Sequence, residues 1–197
     1  MKRGNKKAFI QFVFILALIL VVNFISSRVY HRIDLTSDNR YTLKTKTKKI
    51  LRELEDVVYF KVYLSGDMPI GLERMQTRIR EMLNEFRVHA GDNIQYQFIN
   101  PSEDRNAKER QRFYRDLRNK GLKPANVRSR DREGGYTQKM IFPGALVNYG
   151  NRQTAVNLLK TSPGLSSERR LNHSMEALEY NLIDAIYKLT LEEKQPI

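Results

Sequence analysis

The sequence predicts an α/β domain carried behind one apolar N-terminal helix. Three observations predict it. An almost uninterrupted apolar run opens the chain, helical and alternating hydrophobic patterns then take turns, and a long amphipathic stretch closes it. The chain has 197 residues, enough for one ordinary domain plus an anchor.

Residues 8–26 read AFIQFVFILALILVVNFIS, with only Gln11 and Asn23 strongly polar. Nineteen residues at the helical rise span about 28 Å, close to the hydrocarbon thickness of a bilayer. A helix satisfies its own backbone groups in lipid, so such a run inserts without partners. Lys2, Arg3, Lys6 and Lys7 precede it, and the positive-inside rule places that end in the cytoplasm. The apolar core is longer than that of a signal peptide, and residues 23–27 lack a small-x-small cleavage pattern. The expected organisation is a basic cytoplasmic tail over 1–7, an uncleaved signal anchor over 8–27, a stem over 28–41 and an extracytoplasmic domain over 42–197.

Beyond the anchor, Thr42 is expected to cap a helix running to about residue 55, with Leu43, Ile50, Leu51 and Leu54 on one side. Residues 57–64 alternate as a strand, with Val58, Phe60, Val62 and Leu64 facing one way and Tyr59, Lys61 and Tyr63 the other. Leu72, Met75, Ile79, Met82, Leu83 and Phe86 form a helical stripe that Gly91 ends. Ile94, Tyr96 and Phe98 alternate in a second strand, stopped by Asn100-Pro101. A connection of this length between two strands predicts parallel pairing. Ser102 is expected to cap a third helix, which Gly121 closes. Two hairpins follow: 125–130 with 136–142 around Glu133-Gly134-Gly135, and 145–149 with 153–159 around Gly150-Asn151. The last helix, 167–190, carries Leu171, Met175, Leu178, Leu182, Ala185, Ile186 and Leu189 on one face. This order resembles a thioredoxin-like βαβαββ-type domain, here without redox cysteines.

Composition narrows the chemistry. The formal net charge is +13, and six of the 35 basic residues fall in the first 33 positions, where there is no acid. The remaining excess of basic over acidic residues is +7, a bias toward anionic head groups, acidic polymers or an acidic partner. Cysteine is absent, which excludes disulfides, thiolate metal sites, a thiol nucleophile and thiol-disulfide exchange. No phosphate-binding loop sequence is present, so ATP hydrolysis by that mechanism is excluded. His31, His89 and His173 lack metal-ligand spacing, and no metal or cofactor is expected.

Ser166-Ser167 lies near Glu168 and His173, but no nucleophile elbow surrounds it, and a helix cap explains it better. Glu53, Glu55 and Asp56 read as a solvated helix end. Lys108, Arg110, Arg112, Arg115, Arg118 and Lys120 crowd the third helix, with Arg128 and Arg130 beyond it. Lys108, Arg112 and Arg115 share a face by their spacing; with Arg128 and Arg130 they make an interaction patch for lipid head groups or an acidic partner, against the plainer reading of a solvated helix surface. Nucleic acid is not expected, because the topology carries this surface out of the cytoplasm.

Four motifs in order along the chain are more specific than any one of them, and the first lies in the stem. Asp34-Leu35-Thr36 leads to Arg40-Tyr41-Thr42-Leu43 directly after the anchor. Phe98-Ile99-Asn100-Pro101, Pro143-Gly144-Ala145-Leu146-Val147 and Leu178-Glu179-Tyr180-Asn181 follow in order along the chain. Together these resemble the gliding-motility ABC transporter auxiliary family (GldG type). The resemblance implies a non-catalytic, substrate-binding-like accessory subunit in the bacterial cytoplasmic membrane. It would work beside separate ABC permease and ATPase subunits and in contact with membrane lipid, its own ligand unknown, in the setting of gliding motility and type IX secretion. Members of that family are longer and carry a second membrane span, so a chain ending at Gln195-Pro196-Ile197 is expected to be an N-terminal portion or a short version. Asn100 stands where the family has aspartate. Within the stem, Asp34 is expected to pair with Arg40, and Tyr41 to pack on the first helix of the domain. The competing class is a stand-alone membrane-tethered module that binds an acidic envelope polymer or lipid head groups through the arginine-rich helix.

Overall fold

A computed structural model describes residues 4–28, 43–103, 106–130, 135–160 and 164–191. The chain divides into two units, Met1–Thr42 and Leu43–Ile197. Among its described residues the first contains one helix, α1 (Gly4–Arg28), 25 residues long and predominantly apolar with no distinct polar face. All the side chains described in it, residues 9–21 and Asn23, are exposed. Among the described residues no helix is long and apolar enough to cross a membrane.

The second unit is a mixed α/β domain. In chain order it has α2 (Thr45–Arg52), β1 (Val58–Val62), α3 (Ile70–Ala90), a single 3-10 turn (Gly91–Asn93), β2 (Ile94–Phe98), α4 (Ala107–Asn119), β3 (Ala125–Arg130), β4 (Tyr136–Ile141), β5 (Gly144–Tyr149), β6 (Arg152–Asn157), α5 (Ser167–Glu176) and α6 (Leu178–Leu191). Four strands form one sheet in the order β2-β1-β5-β6, and β3 and β4 form a separate two-stranded sheet. β1 and β2 are parallel, as their long helical connection predicts, with Phe60 opposite Tyr96. β5 runs antiparallel to β1, placing Val147 on the other side of Phe60. β6 returns antiparallel to β5 through a two-residue loop at Gly150-Asn151, where Gly150 has φ +53°.

One face of the sheet is buried along its length, and the other is covered around Leu146. Val58, Phe60 and Val62 pack with Ala145 and Val147, with Met75, Ile79, Leu83 and Phe86 of α3, and with Leu182 and Ile186 of α6. Alternation sends Leu146 to the opposite face, where it joins Tyr63, Phe142 and Tyr114 and Leu117 of α4. The expected facing of residues 58–64 therefore holds. Gly144 starts β5 where no side chain fits: a Cβ there would lie 2.6 Å from the Val156 carbonyl oxygen and 2.7 Å from a Leu122 methyl.

Three boundaries differ from expectation. Thr42 lies outside the described residues; α2 starts at Thr45 and ends at Arg52 rather than 55. Its N-terminus is held from a distance, because the Lys44 backbone N–H (2.8 Å) and the Thr47 hydroxyl (2.6 Å) both donate to Glu179 Oε1 of α6. A carboxylate at that end also complements the helix dipole. Ser102 does not cap α4. Asn106 does, its side chain accepting from the Glu109 N–H at 2.9 Å, while the Ser102 hydroxyl bonds Tyr114 OH at 2.7 Å. The single helix expected over 167–190 is two, broken at Ala177. Buried Ser174 donates to the Arg170 carbonyl at 2.7 Å and accepts from the Lys160 N–H at 3.0 Å. Such back-bonding bends helices and weakens their continuation.

His89, in the last turn of α3, titrates below its ordinary value. Burial is the main cause, with the Lys48 and Arg52 charges adding to it and Glu85 opposing. The unfolded chain therefore takes up a proton near pH 6.5 while the folded one resists it. Stability is expected to fall as pH drops through that value toward the lower folded one. His89→Gln should flatten this part of the profile in urea melts at pH 7.5 and 5.5; an unchanged profile would refute it.

Candidate functional site

Open α/β sheets place their clefts beyond the carboxyl ends of parallel strands. Here β1 and β2 both end beneath a cleft of about 390 Å³. The segment after β1 supplies Tyr63, Asp67 and Met68, and the segment after β2 supplies Asn100, Pro101 and Ser102. Arg110 and Tyr114 enter from α4, and residues 138–141 of β4 close the side.

The wall is built tightly. Gly66 has φ +100°, and a Cβ on it would come within 2.7 Å of Asn100 Nδ2, so both backbone angle and space demand glycine. Asn100 Oδ1 accepts from the Ser102 N–H at 3.0 Å, folding the turn after β2. Gln76 Nε2 donates to the Leu64 carbonyl at 2.8 Å and fixes the turn after β1 to α3. Tyr114 packs against Phe142 with ring centroids 5.2 Å apart and holds Ser102 by its hydroxyl. An exposed ion pair between Lys139 and Asp67 ties β4 to the first wall; pairs of this kind contribute little stability but fix position.

Arg110 is the distinctive group. It sits in the first turn of α4, placed there by the Asn106 cap, and is partly buried in the cleft. No hydrogen bond or ion pair joins its guanidinium to another described residue. A planar guanidinium in a sheltered cleft is a bidentate receptor for a carboxylate or another oxyanion. No group of three or more His, Asp or Glu side chains suited to a metal occurs among the described residues.

The residues singled out by sequence fall elsewhere. Asp34, Leu35, Thr36, Arg40, Tyr41 and Thr42 lie outside the described residues, as does His31. Lys108, Arg112 and Arg115 are exposed on α4, on the face their spacing predicts. Arg128 is exposed on β3, part of the separate two-stranded sheet; Arg130 ends that strand, and its side chain lies outside the described set. Ser166 caps α5, accepting from the Arg169 N–H at 3.4 Å. Counting charges grouped Arg110 with its exposed neighbours. The sequence signal that separates it is Asn106-x-x-Glu109, which sets the helix start and turns Arg110 toward the strand ends.

The fold is an α/β domain with a cleft at the ends of its parallel strands. The family described as Domain of unknown function (DUF7088) matches residues 37–148, more than half of the chain, and the chain belongs to that family. No curated protein and no solved structure matches it.

Proposed function

We propose that the chain is a membrane-anchored, non-catalytic accessory subunit of an ABC transporter linked to gliding motility, with its α/β domain on the periplasmic side of the bacterial cytoplasmic membrane. The apolar run at 8–26 behind four basic residues supports the anchor and its direction. The ordered motifs from Asp34 to Asn181 support the transporter setting. The strand order β2-β1-β5-β6 supports a thioredoxin-like domain, with the β3–β4 hairpin inserted between α4 and β5.

The observation that carries the binding role is where one of those motifs ends. Phe98-Ile99-Asn100-Pro101 runs off β2 into the wall of the cleft that Arg110 lines. A motif that builds a crevice around a guanidinium with no partner among the described residues suits an oxyanion-bearing ligand or partner segment.

Affinity capture of the tagged full-length chain from detergent-solubilised membranes of a gliding bacterium tests the proposal. Recovery of a permease and an ATPase, weakened by Arg110→Ala, is expected. Capture of an acidic envelope polymer without either protein, weakened instead by Lys108→Ala with Arg112→Ala, would replace this reading with the stand-alone module.

A further inference from the structure

We propose that the face formed by α2 and α6 rests on anionic lipid head groups and sets how the domain stands on the bilayer. This rests on the anchored reading above but names a surface that reading does not supply.

Three features coincide there. Tyr180, Tyr187 and Leu191 lie along one stripe of α6 and are 64%, 46% and 44% exposed, although the opposite stripe of that helix is core. Beside them a mostly apolar groove of about 340 Å³ runs between α2 and α6, floored by Ile50 and Ile183. Along its edge the start of α2 brings Lys44 and Lys46, both exposed, in a stretch with no acid from residue 44 to 52. The carboxylates of the groove are already engaged: Glu179 accepts from Lys44 N and Thr47 Oγ1, and Asp184 pairs with Lys188 at 2.6 Å.

Tyrosine rings prefer the head-group level, lysine stems lie along apolar surface with the ammonium in water, and clustered bases attract anionic lipid. Proximity adds to the charge match. Only sixteen residues separate the apolar run from Leu43, which keeps this face at high effective concentration over the membrane. The α4 face offers Lys108, Arg112 and Arg115 but no exposed large apolar side chain, so it has the charge without the anchor.

Because the chain has no cysteine, single labels test this in the full-length protein. Leu16→Cys, Tyr187→Cys, Tyr180→Cys and Arg112→Cys are each labelled with an environment-sensitive dye. Each is then reconstituted in nanodiscs of phosphatidylcholine with or without phosphatidylglycerol and read by quenching from head-group nitroxide lipids. The labels at 187 and 180 are expected to be quenched at least about twofold more than the label at 112, only with phosphatidylglycerol present, and to lose the difference in high salt. Equal quenching at 187 and 112, stronger quenching at 112, or no dependence on the anionic lipid overturns the proposal while an embedded label at 16 leaves the anchor intact. An unembedded label at 16 overturns both.

Discussion

Replacing Phe60 with alanine is expected to lower stability by about 3–5 kcal/mol, the range for removing a buried aromatic ring. Phe60 is fully buried in the middle of β1, a strand with partners on both sides. Tyr96 stands opposite it on β2 and Val147 on β5, and α3 and α6 cover the same face. Neighbours fixed by two ladders cannot collapse into the space, so the transfer and cavity contributions both count. Urea denaturation of wild type and Phe60→Ala measures this, and a loss below about 1 kcal/mol would mean that the core is not centred on β1.

The second large effect concerns the first unit. Leu16→Arg together with Leu20→Arg is expected to release the chain from membranes. On insertion scales the two exchanges near the middle of a span cost about 6–8 kcal/mol together, more than flanking charges offset. Carbonate extraction reads the outcome directly. A double variant that stays in the carbonate-resistant pellet would argue that residues 8–26 are held by something other than lipid.

Much of the fold was legible because local pattern and global structure agree. Alternation at 58–64 put Val58, Phe60 and Val62 on the main core and Tyr63 on the second one. The stripe from Leu72 to Phe86 became the buried side of α3, and Gly150-Asn151 made the turn of β5 and β6. What escaped was tertiary. Glu179 holds the start of α2 across 135 residues of chain, which no local window contains. Ser174, at the end of α5, is held from outside its helix by the Lys160 N–H, a contact that the apolar stripe does not reveal. Arg110 looked like one base among six on a crowded helix until the Asn106 cap and the strand ends placed it in the cleft.

The family-like motifs gain physical roles in the same way. Gly144 of the Pro143-to-Val147 motif is required where β5 meets Val156 and Leu122, and Asn100 of the second motif is the side chain against which Gly66 is packed. Glu179 of the Leu178-to-Asn181 motif is the long-range cap of α2, and the exposed neighbour Tyr180 belongs to the face proposed to meet lipid. The stem motif from Asp34 to Thr42 lies outside the described residues.

The measurement that bears most directly on the account is the compartment of the C-terminal domain in cells. Alkaline phosphatase and β-galactosidase are fused in turn after Ile197 of the full chain, since the first works only outside the cytoplasm and the second only within it. Residues 8–26 acting as a signal anchor predict active phosphatase and silent galactosidase. Active galactosidase with silent phosphatase would place the domain in the cytosol, and neither the periplasmic subunit nor its lipid-facing surface would survive that result.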